Sequence, residues 1–319
     1  MQRLLVLFVV ALALSPVATA QTYPERPIRL IVPFAPGGSA DAAARPVAEK
    51  LASALGQPIV VENRGGGLTV IGADLAAKAA PDGYTLFIMP GAHVLSPRLV
   101  KNVPFDPIRD FTPISMIAYI PFVVFSDAKL PFTTMKEMIG YAKANPGKLS
   151  VGTTDAVGRL ALESLRNTAG LDITQINYKS AATLASDVAG SHIHMGILTP
   201  PAVLGFWRDK RIHALALTGP NRIESMPDVL PVAESAGIAG YSIQTWFALT
   251  GPAGMPAPVV DRLQREMQKI LGDPEVRSKL QALGMDPATD ASPARVSATM
   301  KGDSERLGKL LEQSGIKPE

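Results

Sequence analysis

One stretch narrows the folds open to this chain more than any other: Pro27-Ile28-Arg29-Leu30-Ile31-Val32-Pro33-Phe34-Ala35-Pro36-Gly37-Gly38-Ser39-Ala40-Asp41. Its first half is apolar, rich in β-branched residues and bounded by prolines, which predicts a short buried strand. Its second half is a turn with two adjacent glycines. From Ala42 to Leu55 the apolar positions Ala44, Val47, Ala48, Leu51 and Leu55 recur at helical spacing. Pro46 falls inside that helix and is expected to kink it or delay its start. A strand, a small-residue turn and a helix together aim unpaired N–H groups at one point, and the helix dipole adds positive character there. A carboxylate or phosphate suits such a mouth, and Gly37 and Gly38 carry no Cβ to keep it away. The same turn also reads as a plain tight connection, the commoner role of such turns. It matches neither a Walker loop nor a G-x-G-x-x-G fingerprint.

The rest of the chain repeats the theme. Pro58–Glu62 and Tyr84–Met89 read as further strands, separated by the glycine loop Gly65-Gly66-Gly67 and a helix over Val70–Ala80. This β-α-β-α-β rhythm predicts a mostly parallel sheet with helices on both faces. Ile114–Ser126 reads as a strand pair broken at Pro121 and passing from one sheet to another. Leu149–Gly152 leads through Thr153-Thr154-Asp155-Ala156-Val157-Gly158 into a helix over Leu160–Ala169, a second strand, small-residue turn and helix. Ser180 is placed to cap a helix over Ala181–Ala189. Three helices, from Pro256, Pro274 and Pro293, close the chain and are expected to cover the first sheet. The architecture expected is α/β, a two-lobe Venus-flytrap fold of type II-like layout. Residues 21–121 with 241–319 form lobe 1, and residues 122–240 form lobe 2. Two chain crossings make a hinge, and a hinge between α/β lobes encloses a cleft.

Composition restricts the partners. The net charge is +3, of which Arg3 supplies one, and no Lys/Arg cluster is interleaved with aromatics, so no nucleic acid is expected. Arg3, the apolar run Leu4–Leu14 and the small-residue site Ala18-Thr19-Ala20 read as a secretory signal, residues 1–20, cut after Ala20. A membrane helix is the rival reading, but the run is short and Pro16 interrupts it. There is no cysteine. That excludes disulfides, thiolate metal sites and a cysteine-linked lipid anchor, and leaves a soluble periplasmic protein as the expectation.

Catalytic signatures are missing. There is no H-E-x-x-H and no G-x-S-x-G. His192 and His194 lie two apart, facing one way on a strand, with no third ligand in view, so neither a metal nor a cofactor is expected. His93 follows a strand at Pro90-Gly91 and is the histidine best placed to line a cleft. Trp246 and Phe247 read either as core or as a stacking surface. Asp41 reads as a first-turn acid or, more sharply, as a ligand contact.

Several motifs carry a resemblance across nearly the whole mature chain. They include Tyr23-Pro24-Glu25-Arg26-Pro27-Ile28, Val32 to Asp41 and Val61-Glu62-Asn63-Arg64. Others are Ala80-Pro81-Asp82-Gly83-Tyr84-Thr85-Leu86, Asp110-Phe111-Thr112-Pro113-Ile114, Tyr141 to Leu149, and Trp246-Phe247-Ala248-Leu249 before Gly251-Pro252-Ala253-Gly254. In these the chain resembles the substrate-binding receptors of tripartite tricarboxylate transporters, the Bug receptors. The resemblance implies a receptor, not an enzyme, that captures a small organic acid. It implies a ligand carboxylate held by Phe34, Ala35, Gly37, Gly38, Ser39 and Asp41 from one lobe and by Thr153, Thr154, Ala156 and Arg159 from the other. Tyr178, Ser180, Ala181 and Thr199 would reach the ligand's far end; His93 joins the candidate set on its position after a strand alone. The second loop departs from the family's usual Gly-x-Gly-Ser-x-x-His: Asp155 and Arg159 stand there, and could pair or clamp a carboxylate. The expected partner is the membrane part of such a transporter or a sensor kinase, with the receptor itself monomeric. An exported hydrolase using Ser39 or Thr154 with His93 is the remaining alternative.

Overall fold

The computed structural model describes residues 23–314 and Ile316. The signal segment lies outside the described residues. Two mixed sheets form the frame. The first holds six strands in the order β11-β4-β10-β3-β1-β2. These are β1 (Ile28–Val32), β2 (Ile59–Asn63), β3 (Thr85–Pro90), β4 (Phe111–Pro121), β10 (Gln244–Pro252) and β11 (Asp286–Pro287). The second holds five in the order β7-β6-β8-β5-β9. These are β5 (Val123–Asp127), β6 (Ser150–Thr153), β7 (Thr174–Asn177), β8 (Met195–Leu198) and β9 (Ile212–Leu217).

β1 pairs parallel with β2 and β3, while β10 runs antiparallel between β3 and β4. In the second sheet β6 pairs parallel with β7 and β8, and β5 runs antiparallel between β8 and β9. The rhythm read from the sequence therefore describes the parallel part of each sheet. The antiparallel strands are the ones that carry the chain from one sheet to the other. β4 ends at Pro121, and β5 begins two residues later in the second sheet. The chain returns after β9 and enters β10.

Both crossings meet at one residue. The fully buried Thr218 takes the Phe122 N–H on its Oγ1 at 2.9 Å and gives its own N–H to the Phe122 carbonyl at 2.9 Å. Its carbonyl accepts from the Ile243 N–H at 2.8 Å. Outbound and returning segments are thus tied by backbone-scale bonds in a dry setting.

Apolar periodicity explains the layers. The helix Ser39–Leu55 buries Val47, Ala48, Leu51 and Leu55, and packs with Leu263, Met267 and Ile270 of the helix Ala257–Gly272 on one face of the first sheet. Each fully buried Leu or Val contributes about 1.5–3 kcal/mol. The helix Pro293–Gln313 covers the other face through Val296, Met300 and Leu307, and its cluster continues into the second lobe. Tyr241 there donates to the Ala161 carbonyl at 2.7 Å. So the terminal helices do cover the first sheet. The helix Met135–Ala144 starts with a capping box of Thr134 and Glu137.

Two local expectations fail. The first helix runs unbroken from Ser39, before Pro46 and past it; burial of one whole face outweighs the single lost backbone bond. The helix Pro200–Arg208 is not among the elements read from the sequence. Its prolines occupy the first two helical positions, where a missing N–H costs nothing.

Candidate functional site

The parallel strands of both sheets end at one place. A cavity of about 560 Å³ lies between the sheets, within the size range of small-molecule sites. Its lining follows the carboxyl ends of strands: Phe34 and Gly37–Ala40 after β1, Pro90 and Ala92 at β3, Thr154 and Asp155 after β6, Lys179 after β7, Leu198 and Thr199 at β8. Ligands in open α/β sheets bind in such crevices because loops and helix N-termini converge there. Thr245 and Phe247 enter from the start of β10, and Phe122 from the crossing.

The first turn is built by Asp41. Its carboxylate accepts from the Gly37 N–H at 3.0 Å, the Asn63 Nδ2 at 3.0 Å, and Arg45 through Nε at 2.8 Å and an Nη at 2.9 Å. Asn63 Nδ2 also donates to the Phe34 carbonyl at 3.0 Å, which fastens the loop to the end of β2. Burial alone would raise the Asp41 pKa, but the bonds from Arg45, Gly37 and Asn63 outweigh it and hold the group below the ordinary carboxylate range. Asp41 is therefore a positioning residue, occupied with its own loop. It also takes the Gly37 donor, one of the amides expected for the ligand. Gly38 serves as N-cap without a side-chain cap. Among the described residues, the N–H groups of Gly38, Ser39 and Ala40 have no protein acceptor. These are the orphan donors of a helix start.

The second turn has the same form with a different cap. Asp155 is the N-cap of the helix Ala156–Ala169 and accepts from the Gly158 N–H at 2.9 Å. Desolvation by burial raises its pKa, partly offset by the Gly158 and Val157 amides, so the anionic form is disfavoured beside the cavity. Arg159 does not pair with it: its Nε is buried without a partner and it does not line the cavity. Asp155 is spent on the helix end, four residues before the guanidinium.

The structure gathers Phe34, Gly37, Gly38, Ser39, Thr154, Ala181 and Thr199 around the cavity. It does not bring the other expected residues there. His93 is fully buried, its ring stacked on Phe105 at 5.3 Å and edge-on to Phe111 at 4.7 Å, with Nε2 3.1 Å from the Pro107 carbonyl. Burial pushes its pKa down to about 3, so it stays neutral. A ring held this way is no base for Ser39 or Thr154, and the hydrolase alternative loses its proton acceptor. Thr153 is buried and accepts from Gln175 at 3.0 Å. Tyr178 turns its hydroxyl to Asp187 at 2.9 Å, and Ser180 caps its helix by accepting from Thr183 at 3.3 Å. Ala35 and Ala156 flank the lining without joining it. His194 meets Ser150 at 2.8 Å rather than a metal ligand set. Among the described residues, no group of three or more His, Cys, Asp or Glu is placed to hold a metal.

Some lining residues had escaped sequence reasoning. Pro201, Ala202 and Phe206 come from the unpredicted helix, whereas Lys179, the one cationic side chain of the lining, lies inside the Tyr178–Ala181 stretch that the resemblance assigns to the ligand's far end. The signal for that helix was Thr199 followed by two prolines and then Val203 and Leu204, an N-terminus pattern. Trp246 is core, donating to Asp303 at 2.8 Å, whereas its neighbour Phe247 lines the cavity. Adjacent strand residues face opposite ways, so the two aromatics divide the roles.

Two sheets, two helix-starting turns and an enclosed cleft define a two-lobe ligand-binding protein of the periplasmic type. The chain belongs to the tripartite tricarboxylate transporter family of receptors, whose family profile matches residues 43–316. It is 32% identical to the protein BugT of Bordetella pertussis, over 99% of both chains. It is 33% identical to a protein of Pseudomonas sp. strain P51, over 95% of this chain and 91% of that one. Among solved structures it is similar to the periplasmic binding protein BugD, with a TM-score of 0.82 at 30% identity, covering 93% of this chain and 100% of that one. It is also similar to R. palustris Rpa4515 with adipate, with a TM-score of 0.85 at 31% identity and the same coverage.

Proposed function

We propose that this chain is a periplasmic receptor that captures a small organic carboxylate and presents it to the membrane part of a tripartite transporter. One observation carries the reading: two helix-starting turns, Gly38–Ala40 and Thr154–Ala156, come from different sheets and flank one cavity with open backbone donors. A carboxylate has two oxygens and about four lone-pair sites, enough to accept from both sides at once. Such charge-assisted bonds are the strong ones, and closure about the tied crossings would dry them. The lobes would comprise residues 21–121 with 241–319, and residues 122–240. Export would follow removal of residues 1–20. The solved relative with adipate supports a carboxylic ligand.

The test is thermal melting of the mature protein against a library of mono-, di- and tricarboxylates. A ligand at one hundred times its Kd adds about 2.7 kcal/mol, a rise of about 4 °C for a protein of this size. A library in which no acid raises the melting temperature refutes carboxylate capture.

A further inference from the structure

The cavity is unevenly furnished, and its apolar side names the class of acid. Phe122, Leu198, Pro201, Ala202, Phe206 and Phe247 line it together. They arrive from four places: the first crossing, the end of β8, the helix Pro200–Arg208 and β10. Ala202 and Phe206 are four residues apart on that helix and so share a face. Val203 is fully buried in the cluster beneath. The Phe206 ring is steadied by the Arg211 guanidinium, which lies 5.0 Å from its centroid. A flexible aromatic would be poor at selecting anything; this one is held.

Resting on the carboxylate-receptor reading above, we propose that the ligand is an acid with an apolar, hydroxyl-free body, alkyl or aryl, and that Phe206 sets this preference. The polar side chains of Ser39, Thr154 and Asp155 belong to the two turns that flank the carboxylate, and Thr199 and Thr245 add one hydroxyl each beside the apolar wall, two against its six apolar side chains. A ligand hydroxyl pressed on the rings of Phe122, Phe206 or Phe247 gives up water and gains no acceptor from the rings. A methylene at the same place leaves water and gains contact. Hydroxylated acids such as citrate and tartrate are disfavoured on both counts. Lys179, exposed and at the rim, tolerates a second carboxylate at the end of an apolar spacer without demanding one.

The experiment is calorimetric titration of the mature protein with the straight-chain acids from acetate to hexanoate, with phenylacetate, and with citrate and tartrate. Affinity is expected to rise about fourfold per added methylene, with phenylacetate and hexanoate well ahead of citrate and tartrate. In Phe206→Ala the gradient flattens to about twofold or less per methylene, while Phe206→Leu, which keeps an apolar side chain, retains most of it. Circular dichroism melts of both variants establish that they are folded. A flat chain-length series, citrate or tartrate binding more tightly than hexanoate, or an unchanged gradient in Phe206→Ala overturns the apolar preference while leaving carboxylate capture standing. If no acid in either set binds, both fall.

Discussion

Asp41→Ala is the substitution on which most of the site's logic can be checked. Asp41 is buried and gathers Gly37, Asn63 and Arg45 on one carboxylate. Arg45 is exposed and would return to water at little cost. The Gly37 N–H and the Asn63 amide lose charge-assisted partners, each worth about 1.5–3 kcal/mol in place. Gly37 is exposed and rehydrates in part, while Asn63 keeps its bond to Phe34. The net loss is therefore about 3 kcal/mol of folding stability. Asp41→Asn should lose about half as much, because its amide oxygen still accepts one bond. Urea melts at neutral pH read the stability, and titration with the best-binding acid reads the site. The loop is the platform for Gly38, Ser39 and Ala40, so affinity should fall about tenfold or more in conditions where both variants remain folded. The wild-type contribution also has a definite pH window. The Asp41 pKa is depressed in the folded state, so its stabilisation is complete above the usual carboxylate range and fades as pH falls through and below it. Asp41→Ala with unaltered affinity would refute the idea that this carboxylate builds the mouth.

Three further outcomes follow from other parts of the structure. Asp155 is shifted the opposite way, so in the wild type the cost of its buried charge appears as pH rises through its raised pKa and is relieved as pH falls; Asp155→Asn keeps the cap and removes that cost. The stability difference between variant and wild type should grow with pH, and a difference that is flat with pH would count against the assignment. Thr218→Val strips the acceptor from the buried Phe122 N–H and is expected to cost about 1–3 kcal/mol in urea melts; a loss under about 0.5 kcal/mol would show the crossings are not tied there. Lys179→Met should lower affinity for a dicarboxylate by at most about fivefold, the scale of an exposed ion pair, and leave monocarboxylates alone; equal effects on both classes would remove the rim role for Lys179.

Much of this was legible in the order of the residues. The buried run at β1, the glycines after it, and Ser180 ahead of its helix all act through neighbours a few positions away. Periodicity and capping are local physics, so a linear reading reaches them, and the paired strand, turn and helix units with their two-lobe fold came with them. The fate of single side chains was decided by residues far off in the chain. His93 and Phe105 are twelve positions apart and Phe111 eighteen, yet together they enclose the imidazole. Asp41 met Asn63 from the end of the neighbouring strand, and Arg159 stands outside the cavity lining. The wall of Phe122, Phe206 and Phe247 exists only because a crossing between sheets, one antiparallel strand and one short helix bring three distant aromatics to a common space. Burial depends on what arrives from elsewhere, and no window of sequence contains that information.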